Sequence, residues 1–493
     1  MVCPWLGLFV FVTLGGMNNT SELHFPGPAH WIDGQAVPFD GLGIDVVNPA
    51  TGAVIAAVPD GTAADVDRAV AAATAAFPAW AATAPAERAA IVQRISERLQ
   101  ARAEEIAATI TADVGAPIAF SRMAQAGLPI MVTAMTAGLA EDFPWSEEIA
   151  NSLIVREPIG VVGAITPWNF PLQQLVTKVV PAMLAGNTVV LKPSEVAPLV
   201  VRIFAEVAAD AGLPAGVFNV VYGTGQVVGE AIASHPGIGM VSFTGSTRVG
   251  KRISVVASET VKRVALELGG KSAAIILRDA DLEAAVPQVL ARAWANSGQV
   301  CGAYTRMLVP AELRDEAVRL VREAAGEFTV GDPTDETTRL GPVISEAQRR
   351  RVVDYIEKGV ADGATVVTGG PGPVEGLEGG AYVRPTIFAD VDPDSVIARE
   401  EIFGPVLAII SYTDDDNAVE IANNTIYGLN GAVFGEAEHA LAIAKRMHTG
   451  QVAINDSQMN LLAPFGGYKQ SGNGREMGRF GLEEFLETKA IQR

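Results

Sequence analysis

Two α/β lobes, each built on a helix-covered sheet of mostly parallel strands, are what this sequence predicts, and three observations predict them. The chain has 493 residues, more than a single hydrophobic core usually serves, since cores stop growing near about 250–300 residues. From residue 150 onward, apolar runs at Ile159 to Ile165, Thr188 to Leu191, Val217 to Val221 and Met240 to Phe243 alternate with helical stretches. Such alternation is the pattern of a buried parallel sheet with crossover helices. A second series begins near residue 270, with strands expected around Ser272 to Ile276, Thr305 to Val309 and Val406 to Ser411. Its helices are expected around Leu282 to Asn296, Leu313 to Glu323 and Glu346 to Asp362.

Ahead of the first series, residues 62 to 112 are Ala-rich, with apolar residues such as Ile91, Ile95 and Leu99 at helical spacing. The Gly61-Thr62 pair offers a cap to a helix running through Asp65 to Phe77, because a Thr oxygen can accept an otherwise orphaned amide of the first turn. Thr368 to Gly380 is rich in Gly and Pro and reads as an exposed loop. No internal repeat or coiled-coil heptad is visible.

Composition narrows the function. Hydrophobic residues make up 49% and charged residues 19%, which suits a globular protein and excludes a disordered one. The net charge of -20, from 56 acidic against 36 basic residues with no long Lys/Arg block, disfavours nucleic acid as a partner. Cys3 and Cys301 are the two cysteines; they offer neither a disulfide framework nor metal spacing, so a reduced, cytoplasmic setting is expected. Five scattered histidines add no metal-ligand cluster, and no metal is expected. Val2 to Gly16 is apolar, but it has no basic residue before it and is shorter than a bilayer-spanning helix. Residues 1–16 read as an extension upstream of a start at Met17, with a membrane tether as the second reading; no membrane association is expected.

Several segments could carry chemistry. Cys301 lies in Ser-Gly-Gln-Val-Cys-Gly at a glycine-flanked turn after a helix; it is either a buried small residue or a thiol presented to a cleft. Glu267, in Val264-Ala-Leu-Glu267-Leu-Gly-Gly-Lys271, ends an apolar strand. It is either solvated or held where burial raises its pKa toward that of a useful base. In Ile165-Thr166-Pro167-Trp168-Asn169-Phe170-Pro171, prolines and aromatics fix a loop. That loop could aim the Asn169 amide at an oxyanion, or use it to cap the next helix. Lys192-Pro-Ser194-Glu195 follows a buried strand, a place where a carboxylate suits ribose hydroxyls. Phe243-Thr-Gly245-Ser246 joins a strand to a helix near Thr247, and helix amides there attract anions. A G-x-G-x-x-G fingerprint is absent; Gly223-Thr-Gly225 with Gly229 comes nearest, with the wrong spacing.

Together with Glu401-Ile-Phe403-Gly-Pro and the glycine-dense Pro464 to Gly478, these motifs resemble the aldehyde dehydrogenase superfamily from about residue 30 to the C-terminus. The resemblance implies an α/β fold of two Rossmann-like lobes with a small β oligomerisation arm. It puts the NAD-binding domain at 17–138 and 159–268, the catalytic domain at 269–465, and the arm at 139–158 and 479–493. It implies a homodimer or homotetramer. It makes Cys301 the nucleophile, Glu267 the general base, Asn169 with the Cys301 amide the oxyanion hole, and Lys178 with Glu476 a proton path. Lys192 and Glu195 would meet the adenosine ribose, Ser246 the pyrophosphate, and Glu401 with Phe403 the nicotinamide ribose, with Gln348 on the nicotinamide side. Ile165, Thr166, Pro167, Trp168, Ser194, Gly225, Gly229, Phe243, Gly245, Leu268 and Gly269 would complete the cofactor site. NAD is favoured over NADP because Glu195 would repel a 2′-phosphate.

The implied reaction is attack of the thiolate on an aldehyde, hydride loss to NAD, and hydrolysis of the thioester by water that Glu267 activates. Two alternatives compete: transfer of the acyl group to coenzyme A, against which Glu267 argues, and a binding protein that kept the fold without activity. Phe170, Met459, Leu461 and Leu462 are the candidate substrate residues. Because Asp456 to Ala463 holds no Arg or Lys, a neutral medium-sized or aromatic aldehyde is expected.

Overall fold

The structure is a computed structural model that describes residues 29–39 and 43–493. The expected upstream extension and Cys3 lie outside these residues.

Two seven-stranded sheets organise the described chain. The first runs in the order Arg263–Glu267, Met240–Thr244, Val161–Ile165, Thr188–Lys192, Phe218–Val220, His30–Ile32 and Gln35–Val37. Its first five strands are parallel; the last two are antiparallel additions. The second sheet runs Thr365–Thr368, Thr386–Ala389, Val406–Tyr412, Arg306–Pro310, Ala273–Ile276, Gly431–Phe434 and Ala453–Ile454. Only its Thr365–Thr368 edge strand is antiparallel.

Period-two alternation explains why these runs are apolar throughout. Successive side chains point to opposite faces, and here both faces are covered. Ala273 and Ile275 enter one core while Ala274 and Ile276 enter another on the far side of the same sheet. Val162 and Ala164 likewise face one cluster, and Val161 and Ile165 the other.

Local signals act as the chemistry requires. Thr62 caps Ala63–Ala82 in a capping box with Asp65, and Val92, Ile95 and Leu99 of Pro85–Ala101 are fully buried. All 15 residues of Pro171–Ala185 are buried, so this helix is a core element and not an amphipathic surface one. One helix behaves otherwise than its composition suggests: Ile118–Asp142 is long and apolar enough to cross a membrane. It is packed into the first lobe instead, where Ser96 donates to the Ile130 carbonyl and Gln125 to the Asn169 carbonyl. The expected Leu282 to Asn296 helix stops at Trp294, because Asn296 and Ser297 take left-handed φ of 50° and 55°.

A third, antiparallel sheet pairs Leu486–Gln492 with Ser152–Pro158 and that strand with Ser146–Ile149. The C-terminal strand therefore returns to the segment just before the first lobe's Val161–Ile165 strand.

Candidate active site

The parallel strands of the first sheet deliver their carboxyl ends to one edge, where ligands of open α/β sheets bind. In register there stand Phe243, Ile165 and Lys192, with Thr244 beside Glu267. Beyond Ile165 the chain turns through Thr166, Pro167 and Trp168, and the Thr166 amide donates to the Lys192 carbonyl at 3.1 Å. Asn169 then sends its Nδ2 to the Gln299 carbonyl at 2.9 Å. Its own carbonyl accepts from Gln125 Nε2 at 2.9 Å and from Asn296 Nδ2 at 3.0 Å. The capping reading of Asn169 therefore fails: Phe170 is the residue at the cap of Pro171–Ala185, and the Asn169 amide faces the Cys301 loop instead.

That loop is shaped by left-handed backbone at Asn296, Ser297 and Gly298. A Cβ at Gly298 would sit 2.0 Å from the Gly404 carbonyl oxygen, and one at Gly270 would sit 2.3 Å from the Cys301 oxygen. Glycine alone allows these approaches, so the Gly269-Gly270 pair is wedged between Cys301 and the Glu401 carboxylate. The Gly270 amide donates to Glu401 Oε1 at 3.0 Å. Cys301 is a free, partly exposed thiol. Burial of its sulfur, helped by the negative charges of Glu401, Glu267 and Glu476, pushes its pKa up to about 12.

Glu267 is 4% exposed, and neither carboxylate oxygen has a hydrogen-bond partner among the described residues. Burial, and then the charge of Glu476, holds its pKa well above the usual carboxylate range. Close by, Lys178 from the buried helix makes an ion pair with Glu476, their side chains 1% and 9% exposed.

Cofactor-class features occupy the same edge. Lys192 Nζ meets Glu195 Oε2 at 2.6 Å. Burial alone would raise the Glu195 pKa, but the Lys192 charge and hydrogen bond overcome it and hold the carboxylate below its ordinary range. Ser194 is buried alongside, and its Oγ accepts from the Val196 amide. Ser246 caps Thr247–Ala257 through the Val249 amide, while Gly245 lies so close to the Phe243 ring that a Cβ there would be 2.5 Å away. Gly225 and Gly229 face open space. The buried Thr244 hydroxyl lacks a partner among the described residues. An anion-attracting helix terminus, an unpaired hydroxyl, open glycines and a carboxylate at the sheet's carboxyl edge fit a dinucleotide. No group of three or more potential metal ligands occurs among the described residues.

The model of the aldehyde dehydrogenase family matches residues 37–491. The chain belongs to the aldehyde dehydrogenase family. A 3-succinoylsemialdehyde-pyridine dehydrogenase from a Pseudomonas species is 47% identical over 94% of this chain and 97% of its own. Among solved structures, a cysteine-to-alanine variant of aldehyde dehydrogenase C from Pseudomonas syringae, in complex with NAD+ and octanal, is 50% identical. It superposes with a TM-score of 0.93 over 94% of this chain and 96% of that one. A Mycobacterium tuberculosis aldehyde dehydrogenase complexed with NAD+ is 42% identical, with a TM-score of 0.93 over 95% and 99%. Membership sets the reaction class, oxidation of an aldehyde to an acid with NAD(P), and the α/β fold of cofactor and catalytic lobes.

Within this aldehyde dehydrogenase, several predicted cofactor residues are also tied to one another or to the surrounding loops. Gln348 donates its Nε2 to the Phe403 and Ile402 carbonyls, so it holds the Glu401–Phe403 segment in place. Phe403 has φ of 62° and meets Trp168 edge-on with centroids 5.3 Å apart, joining the two motif loops. Leu268 is buried, its amide donating to the Ser471 carbonyl.

Of the substrate candidates, Phe170 packs edge-on against Phe120 and Leu461 lies against the first lobe's core. Met459 and Leu462 are exposed, at 44% and 50%. The segment does have a cation beside it: Arg292 pairs with Asp456 at 2.9 Å, so its charge is already matched. Sequence reasoning missed Gln299, Gln125, Asn296 and Thr244. The contacts of the first three with Asn169 span large separations in the chain, the Thr244 hydroxyl has no partner among the described residues, and no local pattern marks any of them.

Proposed function

We propose that this enzyme oxidises a neutral, medium-sized or aromatic aldehyde by an NAD-dependent, hydrolytic route through a thioester on Cys301. The observation that carries this reading is the unpartnered, buried Glu267 within the electrostatic reach of the thiol. A carboxylate with no structural partner and a raised pKa is suited to take a proton and to give it up again.

Glu267 would draw the proton from the Cys301 thiol, whose raised pKa leaves it neutral at rest, and the sulfur would then bond to the aldehyde carbon. The Asn169 amide and the Cys301 backbone N–H would carry the resulting oxyanion. Bound NAD, held by Lys192, Glu195, Ser246 and Glu401, would supply the hydride acceptor. Water deprotonated by Glu267 would attack the thioester carbon, breaking the C–S bond and freeing the acid. NAD accompanies the solved relatives from Pseudomonas syringae and Mycobacterium tuberculosis, and octanal, a neutral aldehyde, accompanies the former. We place the antiparallel three-stranded sheet as the surface through which subunits pair.

An aldehyde panel followed by NADH absorbance, with and without coenzyme A, tests the reading. Rates should be highest for neutral aldehydes and independent of coenzyme A. Strict dependence on coenzyme A, or a preference for semialdehydes bearing a distal carboxylate, would overturn it.

A further inference from the structure

We propose that Glu484 is the solvent-side outlet for the protons that Glu267 takes, first from the Cys301 thiol and then from water. The proposal rests on the hydrolytic reading above. There Glu267 first takes the thiol proton as the sulfur bonds to the aldehyde; in hydrolysis the water oxygen bonds to the acyl carbon, the C–S electrons return to Cys301, and one water proton passes to Glu267. Glu267 must lose each proton before it can accept the next, yet it is 4% exposed and has no partner among the described residues. The neighbouring Lys178–Glu476 pair is itself buried, with side chains 1% and 9% exposed. A proton handed to that pair still has no way out.

Glu484 supplies one. It follows the Gly478–Glu483 helix, which folds back over Glu476 so tightly that a Cβ on Gly481 would lie 2.9 Å from the Glu476 carbonyl carbon. Glu484 Oε1 accepts from the Arg475 amide at 3.1 Å, which places its carboxylate beside the residue preceding Glu476. Its side chain is half-buried and so reaches both the interior and solvent. The charged groups that act on it are Arg263 and Arg475, which favour its anion, and Glu476, which opposes it. Burial is the largest influence, and the net effect holds its pKa above the ordinary range. Glu267 in turn feels Glu476 and Glu484 as like charges, which helps hold its own proton in place. Transfer from Glu267 to Glu476 to Glu484 through intervening water would return the base to its active form. Glu484 touches no reacting atom and is a positioning residue for the proton.

The experiment is stopped-flow mixing of the full chain with NAD and octanal in weak buffer. NADH absorbance and a pH-indicator dye are followed together for wild type, Glu484→Gln and Glu484→Asp. In wild type, proton release should track NADH formation. In Glu484→Gln, first-turnover proton release should lag behind NADH and kcat should fall about tenfold, with KM for NAD unchanged. Added imidazole should restore both, as should the shorter carboxylate of Glu484→Asp in part. Release that keeps pace with NADH in Glu484→Gln, or a loss of kcat that imidazole leaves untouched, would overturn the proposal. Failure of the underlying reading looks different: Glu267→Gln would then turn over at the wild-type rate, whatever Glu484→Gln does.

Discussion

Two glutamates stand at the carboxyl edge of one parallel sheet. Glu267 closes the Arg263–Glu267 strand and has no partner for either oxygen among the described residues. Glu195 lies just beyond Thr188–Lys192 and is gripped by Lys192 at 2.6 Å. Both are desolvated, but the pKa of one rises and that of the other falls. The difference teaches that the partner, and not the strand position, divides the work. A carboxylate left alone becomes a proton acceptor, whereas one held by a cation stays a fixed anion that can orient hydroxyls.

That contrast can be broken at several points. The largest effect belongs to the thiol that Glu267 is proposed to serve. Cys301→Ser should reduce NADH formation to background while leaving NAD binding intact by calorimetry, since a hydroxyl is a far poorer nucleophile. Substantial turnover by the serine variant would remove the reason for an unpartnered base.

Next in size, Glu267→Gln should slow thioester hydrolysis by about 10²–10⁴-fold. A first turnover of NADH should persist but be slower, because the thiol has lost the same base, and intact-protein mass spectra should show an acyl adduct. Rapid multiple turnovers without an adduct would show that the lone carboxylate is not the base.

The same substitution has a stability signature whose sign follows from the raised pKa. Below an unfolded-state pKa of about 4.3, the glutamate is protonated in both states and costs nothing. As pH rises past that value the unfolded chain ionises while the folded one stays neutral, so wild type loses stability until its folded pKa is reached. Glu267→Gln has no such loss. Its Tm should therefore gain on that of wild type by a margin that opens as pH rises above about 4.3; a margin that closes instead would contradict the burial argument.

Smallest is the effect at the partnered glutamate. Glu195→Gln should narrow the preference for NAD over NADP by roughly fivefold, the equivalent of about 1 kcal/mol for a part-exposed charge. Ratios of kcat/KM for the two cofactors would measure it, and an unchanged ratio would move the discrimination elsewhere.

How far the sequence revealed this site depends on the range of the forces involved. The strands were legible because both faces of each sheet are buried, which leaves unbroken apolar runs such as Thr188–Lys192. The Thr62 cap was legible because its partner Asp65 is three residues away. Glu267 and Cys301 stood out only beside the other motifs of the family, since neither residue by itself excludes a bland role. Gln299, which reaches Asn169 across 130 positions, left no local trace. Glu484 was also hidden, as one acid in an acidic stretch of chain.

The bond between Asn169 and Gln299 has one more consequence. A side-chain amide carries two N–H donors; one is fixed on the Gln299 carbonyl, and the other has no acceptor among the described residues, leaving one free donor on an immobilised group. On the proposed mechanism the reacting carbonyl would be located by this amide, whose position is set by the Cys301 loop, and no part of the aldehyde's tail would be needed to set it. Substrate range and chemical competence become separable traits. The walls that receive the tail could be redesigned for longer, shorter or aromatic aldehydes while the reaction centre keeps its alignment.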